Sequence, residues 1–229
     1  MRNEFFFYVG IFRSARVRKA PSVSPEDAGA FCLGVSAWGI LNCGTIKKGD
    51  TVVHNLSAGP LASAVAAVAK ELGGTTRTFN VMLHIQYANY VLHIHYLFSY
   101  MIVTLSDKAD TKSAAMAITC SHGSKLAKCL GPEGVMVALA EKETSSAIGA
   151  SQSVSVTDMI FNGISVQGFD LGAYLATTDD ASLSAAFTAI NEMIIGKRLD
   201  VKAKVYPVAD FANALKAAST GTELPVLKL

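Results

Sequence analysis

The chain has 229 residues, of which 51% are hydrophobic and 17% charged, a composition that supports a large folded core and excludes intrinsic disorder. The formal net charge is +2, and beyond residue 20 basic and acidic residues are interspersed, so the sequence carries no basic footprint for nucleic acid. The cysteines are too widely spaced for CxxC chemistry or a zinc site, and their apolar surroundings indicate buried thiols of a reducing compartment: Cys32, Cys43, Cys120 and Cys129.

The first twenty residues combine several basic side chains with one acid, Glu4, around an apolar run. The basic residues are Arg2, Arg13, Arg16, Arg18 and Lys19. This composition is typical of an organelle-targeting presequence. An ordered N-terminal arm is the alternative, and the residues favour neither interpretation over the other.

From Pro21 onward, short β-branched runs alternate with helical stretches, which is the pattern of βαβ units around a parallel sheet. The clearest unit is a buried strand over 51–56 followed by an alanine-rich helix over 61–72. Further strands are predicted at 75–80, 101–105, 114–120, 134–140 and 163–168. About six parallel strands of this kind predict an α/β fold with a Rossmann-type doubly wound sheet.

The C-terminal third adds an amphipathic helix and a βαβ-like tail. Leu183, Phe187, Ile190 and Ile194 recur at helical spacing, and core packing explains them fully. The tail from residue 201 to 229 predicts a strand, a helix with Pro207 in its first turn, and a short strand over 226–229.

The stretch from Thr78 to Ser106 contains no Asp, Glu, Lys or Arg. A helix on the outside of a doubly wound fold normally exposes a charged face to water, so this stretch departs from the expected pattern. A membrane span is costly because polar residues interrupt the stretch: His84, Gln86, Asn89, His93 and His95. We expect burial against another chain, with an artefact of sequencing or translation as a further alternative. The three histidines predict packing residues rather than a metal site.

Five stretches in order resemble the mitochondrial 2-enoyl thioester reductases of the medium-chain dehydrogenase/reductase superfamily, with quinone oxidoreductases as more distant relatives. They are SPEDAGAFCLGVSAWGIL at 24–41, IKKGDTVVHNLSAGPLASAVAAVAKELGG at 46–74, AITCSHGSKLAKCLGPEGVMVALAEKE at 117–143, ISVQGFDLGAYL at 164–175 and AKVYPVADFANALKAA at 203–218. The resemblance implies an arm or targeting segment at 1–20, a nucleotide-binding domain at 21–199, and a segment at 200–229 that in the family returns to the catalytic domain.

Two departures from the family pattern bear on activity. In these enzymes a complete domain carrying the catalytic tyrosine precedes this region, and nothing around Tyr8 resembles its motif, so no catalytic residue is assigned. Where the family has a phosphate turn such as N-S-G-V-G-Q, this chain has Ala58-Gly59-Pro60-Leu61-Ala62-Ser63. Pro60 removes a backbone donor, and Ala62 adds a Cβ where space is short.

The resemblance places the candidate cofactor-binding residues at three strand ends. They are Ser57, Gly59 and Ser63 at the phosphate turn, Arg77 near a ribose 2′-phosphate, and His122 and Gly123 after the fourth strand. For Arg77 the plain alternative is a solvated charge at a strand end. No metal ligands are predicted.

The altered turn and the missing catalytic domain predict an enoyl-reductase-like protein without cofactor, which serves as a non-catalytic structural or interaction subunit of a mitochondrial assembly. Protein partners are expected to cover the 79–105 and 205–229 surfaces in a homo- or hetero-oligomer. The alternative is an NADPH-dependent trans-2-enoyl thioester reductase of mitochondrial fatty acid synthesis, with its catalytic domain supplied elsewhere and NADPH as its cofactor.

Overall fold

A computed structural model describes residues 24–56, 59–78, 81–83, 101–103, 113–119, 126–139, 154–199, 201, 203–220 and 224–228. The elements in chain order are α1 (Pro25–Asn42), β1 (Thr51–His54), α2 (Pro60–Glu71), β2 (Thr75–Thr78), β3 (Val81–Leu83), β4 (Met101–Val103), β5 (Ala114–Thr119), β6 (Leu130–Ala138), α3 (Val156–Phe161), β7 (Ser165–Gly168), α4 (Leu171–Thr177), α5 (Asp180–Ile195), β8 (Ala203–Pro207), a 3-10 turn (Val208–Asp210), α6 (Phe211–Thr220) and β9 (Leu224–Lys228).

A parallel sheet of five strands in the order β2-β1-β5-β6-β7 forms the centre of the fold. The chain runs outward from β1 to β2 and then returns across β1 to continue through β5, β6 and β7. The strand order therefore reverses between β1 and β5, as in a doubly wound fold. The prediction of a Rossmann-type α/β fold is confirmed.

Successive residues of β1 enter different apolar clusters, which shows that both faces of the sheet are covered. Val52 belongs to the larger cluster, with α1, α2, α5 and the C-terminal tail, whereas Val53 joins a smaller cluster with Ala117 and Met136. Side chains alternate between the two faces of a strand, and parallel sheets bury both faces. The continuous apolar runs in the sequence follow from this double burial.

Helix α1 lies close to its neighbours because small residues face them. A Cβ on Gly34 would stand 2.7 Å from Cγ2 of Ile190, and one on Gly29 would stand 2.8 Å from Leu224 and Val226. Real side chains rarely approach so closely, so both positions need glycine for close approach. Through these contacts α1 joins α5 to the C-terminal strands.

The C-terminal segment forms a βαβ unit in which β8 and β9 pair in parallel and α6 connects them. This confirms the predicted βαβ-like tail. Pro207, however, is the last residue of β8 and precedes a 3-10 turn, so its placement in the first turn of the helix was wrong. The fixed φ of proline also suits an edge strand, and the sequence pattern does not separate the two positions.

The strand at 101–103 does not belong to the parallel sheet. It pairs antiparallel with β3 in a separate sheet of two strands, so the main sheet has five strands rather than about six. The apolar run predicted a strand but carried no information about its partner. Strand β6 begins at Leu130, earlier than predicted. Its pairing with β5 is irregular near this start, with a register shift between Ala114 and Met116 and a left-handed residue at Glu133 (φ 61°).

Among the described residues, no helix combines the length and apolar character that crossing a bilayer requires.

Candidate functional site

The carboxyl ends of β1 and β5 lie side by side at the point where the strand order reverses. Backbone hydrogen bonds extend the sheet past the strand ends: Asn55 N donates to Ile118 O at 3.2 Å, and Leu139 N donates to Thr119 O at 2.8 Å. Asn55 and Thr119 are buried. Ligands of open α/β folds bind just outside this edge of the sheet, so this edge is the candidate nucleotide site.

Helix α2 begins at this edge, with its first residue, Pro60, six positions after the end of β1. Gly59 is its N-cap in extended backbone (φ −133°, ψ −178°), with no side-chain hydrogen bond to the first turn. Pro60 is the first helical residue, and Ser63 N donates to Gly59 O at 3.1 Å. The first backbone N–H groups of a helix lack partners within it and can bind anions, but Pro60 has no N–H to offer.

Ala62 packs inward at the start of α2. Its side chain is 9% exposed and lies in the larger apolar cluster. The Cβ that distinguishes it from the family's glycine therefore contributes to the packing of α2 in this fold. Of the two changes in the turn, Pro60 is the one that alters the set of backbone donors.

His54, the last residue of β1, is a buried polar residue that the sequence analysis did not select. It lies between Ile118 and Thr78 in register and is 1% exposed. Burial lowers its pKa below the ordinary value of 6.5, because the charged imidazolium would lose its hydration. A histidine at the end of the run Thr51-Val52-Val53 was the signal that could have identified it.

The structure brings together only part of the predicted site. Gly59 and Ser63 lie on the first turn of α2, and the side chain of Ser63 is exposed. Arg77 lies within β2, opposite Val53 of β1 in register, and its side chain falls outside the described part of the chain. Ser57, His122 and Gly123 also lie outside the described residues, so all these assignments stay predictions.

Of the described cysteines, Cys129 is a buried thiol as predicted, whereas Cys32 and Cys43 are half-buried. Burial raises the pKa of Cys32 and of Cys43, which favours the protonated form. Within the described residues, no group of three or more His, Cys, Asp or Glu side chains could hold a metal ion.

No protein-family model and no curated protein matches the chain. Solved structures do match. A quinone oxidoreductase from Thermus thermophilus, also solved in complex with NADPH, aligns with 93% of this chain and 69% of its own at a TM-score of 0.63 and 19% identity. An alcohol dehydrogenase zinc-binding domain protein from Burkholderia ambifaria aligns with 86% of this chain and 53% of its own at a TM-score of 0.58 and 17% identity.

A third match is an Etr1p mutant solved in complex with NADP and crotonyl-CoA, with a TM-score of 0.61 and 11% identity over 87% of this chain and 60% of that one. The chain thus spans between about half and two thirds of the length of these proteins. Identities this low establish the fold alone. The described part of the chain has a Rossmann-type α/β fold similar to that of these solved structures.

Proposed function

We propose that this chain is an enoyl-reductase-like protein without catalytic activity, which acts as a structural or interaction subunit of a mitochondrial assembly. The observation that carries the proposal is Pro60 at the first position of α2, where the helix meets the carboxyl edge of the sheet. A helix start at this place in the fold would otherwise offer its backbone N–H groups to a pyrophosphate.

The loss of one backbone N–H donor to the pyrophosphate would weaken cofactor binding substantially. A hydrogen bond to a charged group contributes about 1.5–3 kcal/mol. Each 1.4 kcal/mol is a tenfold change in dissociation constant, so one missing N–H weakens pyrophosphate binding by about 10- to 150-fold. Proline at a first helical position also stabilises the helix itself. The turn therefore favours the stability of α2 over anion binding.

Exposed apolar side chains on the C-terminal unit support a role in an assembly. Val208, Phe211 and Leu215 recur at helical spacing, and all three are exposed. They lie within the 205–229 surface that we expect a partner to cover. Contact with another polypeptide would remove this apolar surface from water.

The basic first segment supports the mitochondrial part of the proposal. Residues 1–20 have the composition of an organelle presequence, and a fluorescent fusion of the full chain tests it directly. We expect the fusion to colocalise with mitochondria, and replacement of Arg13, Arg16 and Arg18 by Gln to disperse it. A diffuse fusion of the unaltered chain would contradict this location.

The alternative is an NADPH-dependent trans-2-enoyl thioester reductase whose catalytic domain is supplied by another chain. The preserved reversal of strand order favours it, as do the matching structures solved with NADPH or with NADP and crotonyl-CoA. Bound NADPH would supply the hydride for the β-carbon of the enoyl thioester. The first turn of α2 would hold the pyrophosphate, with Ser63 as a further hydroxyl donor.

Calorimetric titration of NADPH into the full chain separates the two functions. We expect no binding at micromolar concentrations, and a gain of at least about 10-fold in affinity for Pro60→Ala, which restores the N–H and keeps the helix. Pro25→Ala is the matched control, because Pro25 begins α1 in the same way. Micromolar binding by the unaltered chain would favour the reductase, and so would consumption of NADPH with an enoyl thioester.

Native purification tests the subunit role independently of the cofactor. If the protein is an assembly subunit, it should purify from cell extracts in a particle heavier than one chain, and partner chains should co-purify with it. Recovery as a soluble monomer would contradict the role, whatever the outcome of the NADPH titration.

A further inference from the structure

Asn162 and Gly163 form the only Asn-Gly dipeptide of the sequence. Both residues are exposed, and they link the end of α3 to Ile164, which directly precedes β7. Asparagine is one of the thermolabile residues of proteins, because the backbone nitrogen of the next residue can attack its side-chain amide. A glycine in the next position leaves this nitrogen most accessible, because no Cβ shields it.

Asn162 ends α3 and is held there by three hydrogen bonds. Its backbone N–H donates to Asp158 O at 3.0 Å, and its side-chain Nδ2 donates to Asp158 Oδ1 at 3.3 Å. Its carbonyl oxygen accepts from Glu133 N at 2.7 Å, which joins the end of α3 to β6. Gly163 follows with a φ of 65°, a left-handed conformation that glycine adopts without strain. The side-chain amide of Asn162 is thus held at the surface, one residue before a glycine nitrogen.

We propose that Asn162 is a site of spontaneous deamidation. The nitrogen of Gly163 attacks Cγ of Asn162, so that an N–Cγ bond forms and the Cγ–Nδ2 bond breaks. Nδ2 leaves as ammonia, together with the proton of the Gly163 N–H. Water then opens the resulting succinimide ring. Opening at Cγ gives aspartate, and opening at the backbone carbonyl carbon gives isoaspartate, in which the main chain runs through the former side chain. Water is the only co-reactant, and no group is oxidised or reduced.

The hydrogen bond to Glu133 controls the rate of the first step. At the ψ of −1° that Asn162 adopts, the nitrogen of Gly163 eclipses the backbone nitrogen of Asn162 instead of lying beside its side chain. Attack therefore requires the peptide unit after Asn162 to turn, which moves its carbonyl oxygen away from Glu133 N. This local opening costs little free energy, because α3 has only six residues and none of them is buried.

Deamidation weakens the end of α3 in two ways. The new carboxylate at position 162 faces Asp158 in place of an amide donor, and both like charges four residues apart and a negative charge at a helix C-terminus are unfavourable. Isoaspartate also adds one carbon to the main chain, which displaces the acceptor of Glu133 N. The modified chain therefore holds α3 less tightly against β6. Asn162 precedes the first residue of β7 and lies at the amino edge of the sheet, so the reaction does not depend on NADPH binding at the opposite edge.

Peptide mapping of the full chain by mass spectrometry tests the proposal after incubation at mildly alkaline pH. We expect Asn162 to convert to a mixture of aspartate and isoaspartate several-fold faster than Asn213. Asn213 is the matched internal control, because it is exposed and its Nδ2 donates to Asp210 Oδ1 at 2.5 Å, but Ala214 follows it within α6. An Asn162 that stays intact, or that converts no faster than Asn213, would overturn the proposal.

The variant Asn162→Gln keeps an amide at this position and should stay unmodified over the same time, because its longer side chain would have to close a larger ring. Conversion of the glutamine variant at the same rate would overturn the attack by Gly163.

Hydrogen exchange measures the structural consequence without a variant. The amides of Glu133 and Asn162 should exchange several-fold faster in the isoaspartate form than in the unmodified chain, because both lose their hydrogen bonds. Equal exchange in the two forms would overturn the weakening of α3.

Discussion

The contact between α1 and α5 contributes to the stability of the fold, and Ile190→Ala measures that contribution. Ile190 has 0% of its surface exposed, and its Cγ2 reaches the backbone of α1 at Gly34. Truncating a buried isoleucine to alanine costs about 2–5 kcal/mol through lost burial and the remaining cavity. Alanine is the better helix former, and this offsets roughly 0.4 kcal/mol of the lost stability. We therefore expect the free energy of unfolding to fall by about 2–4 kcal/mol.

Ile195→Ala is the matched control, because it makes the same change at the end of the same helix, where the side chain is 74% exposed. It should alter the free energy of unfolding by no more than about 0.5 kcal/mol. Urea unfolding followed by far-UV circular dichroism gives both values, provided that the slope with denaturant stays constant. Equal effects at the two positions, or a loss below about 1 kcal/mol at Ile190, would refute the packing of α1 on α5.

Two further predictions concern charged and titratable groups. The free energy of unfolding should fall as the pH drops below 6.5, because the pKa of His54 is lower in the folded chain and the unfolded chain takes up the proton first. Chemical denaturation between pH 5 and pH 7 should show that the free energy of unfolding depends less on pH in His54→Gln than in the unaltered chain. Parallel curves for the two proteins would contradict the burial of His54. Arg198 and Glu71 form an exposed ion pair, and a double-mutant cycle with Glu71→Gln and Arg198→Gln should give a coupling energy of only about 0.2–1 kcal/mol. This coupling energy should vanish in about 1 M salt. A coupling energy that persists in salt would show that the pair is better shielded from solvent than its exposure indicates.

The elements that the sequence predicted well are those with a strong local pattern. The strand at 51–54 and the helix at 60–71 follow from a β-branched run and an alanine-rich stretch closed by glycine. Helix α5 follows from apolar residues at helical spacing after Asp179, which caps it by accepting a hydrogen bond from Ser182 N at 2.9 Å. In each case the residues that form the element also mark its ends.

What the sequence could not predict depends on partners distant in the chain. Residues 101–103 form a strand as expected, but the apolar run that predicts a strand fits a parallel or an antiparallel neighbour equally well. The inward position of Ala62 likewise depends on how α2 docks on the sheet. Pro60 was recognisable from sequence because the effect of proline on a helix start is local.

Helix α1 places the first and last described residues on the same side of the molecule. Gly29 contacts Leu224 and Val226 of β9, and Ser24 precedes it by only five residues, or roughly 8 Å along a helix. A polypeptide that binds this side would meet the start of α1 and strand β9 at once. A cross-linker of modest length could therefore join the start of α1 to β9.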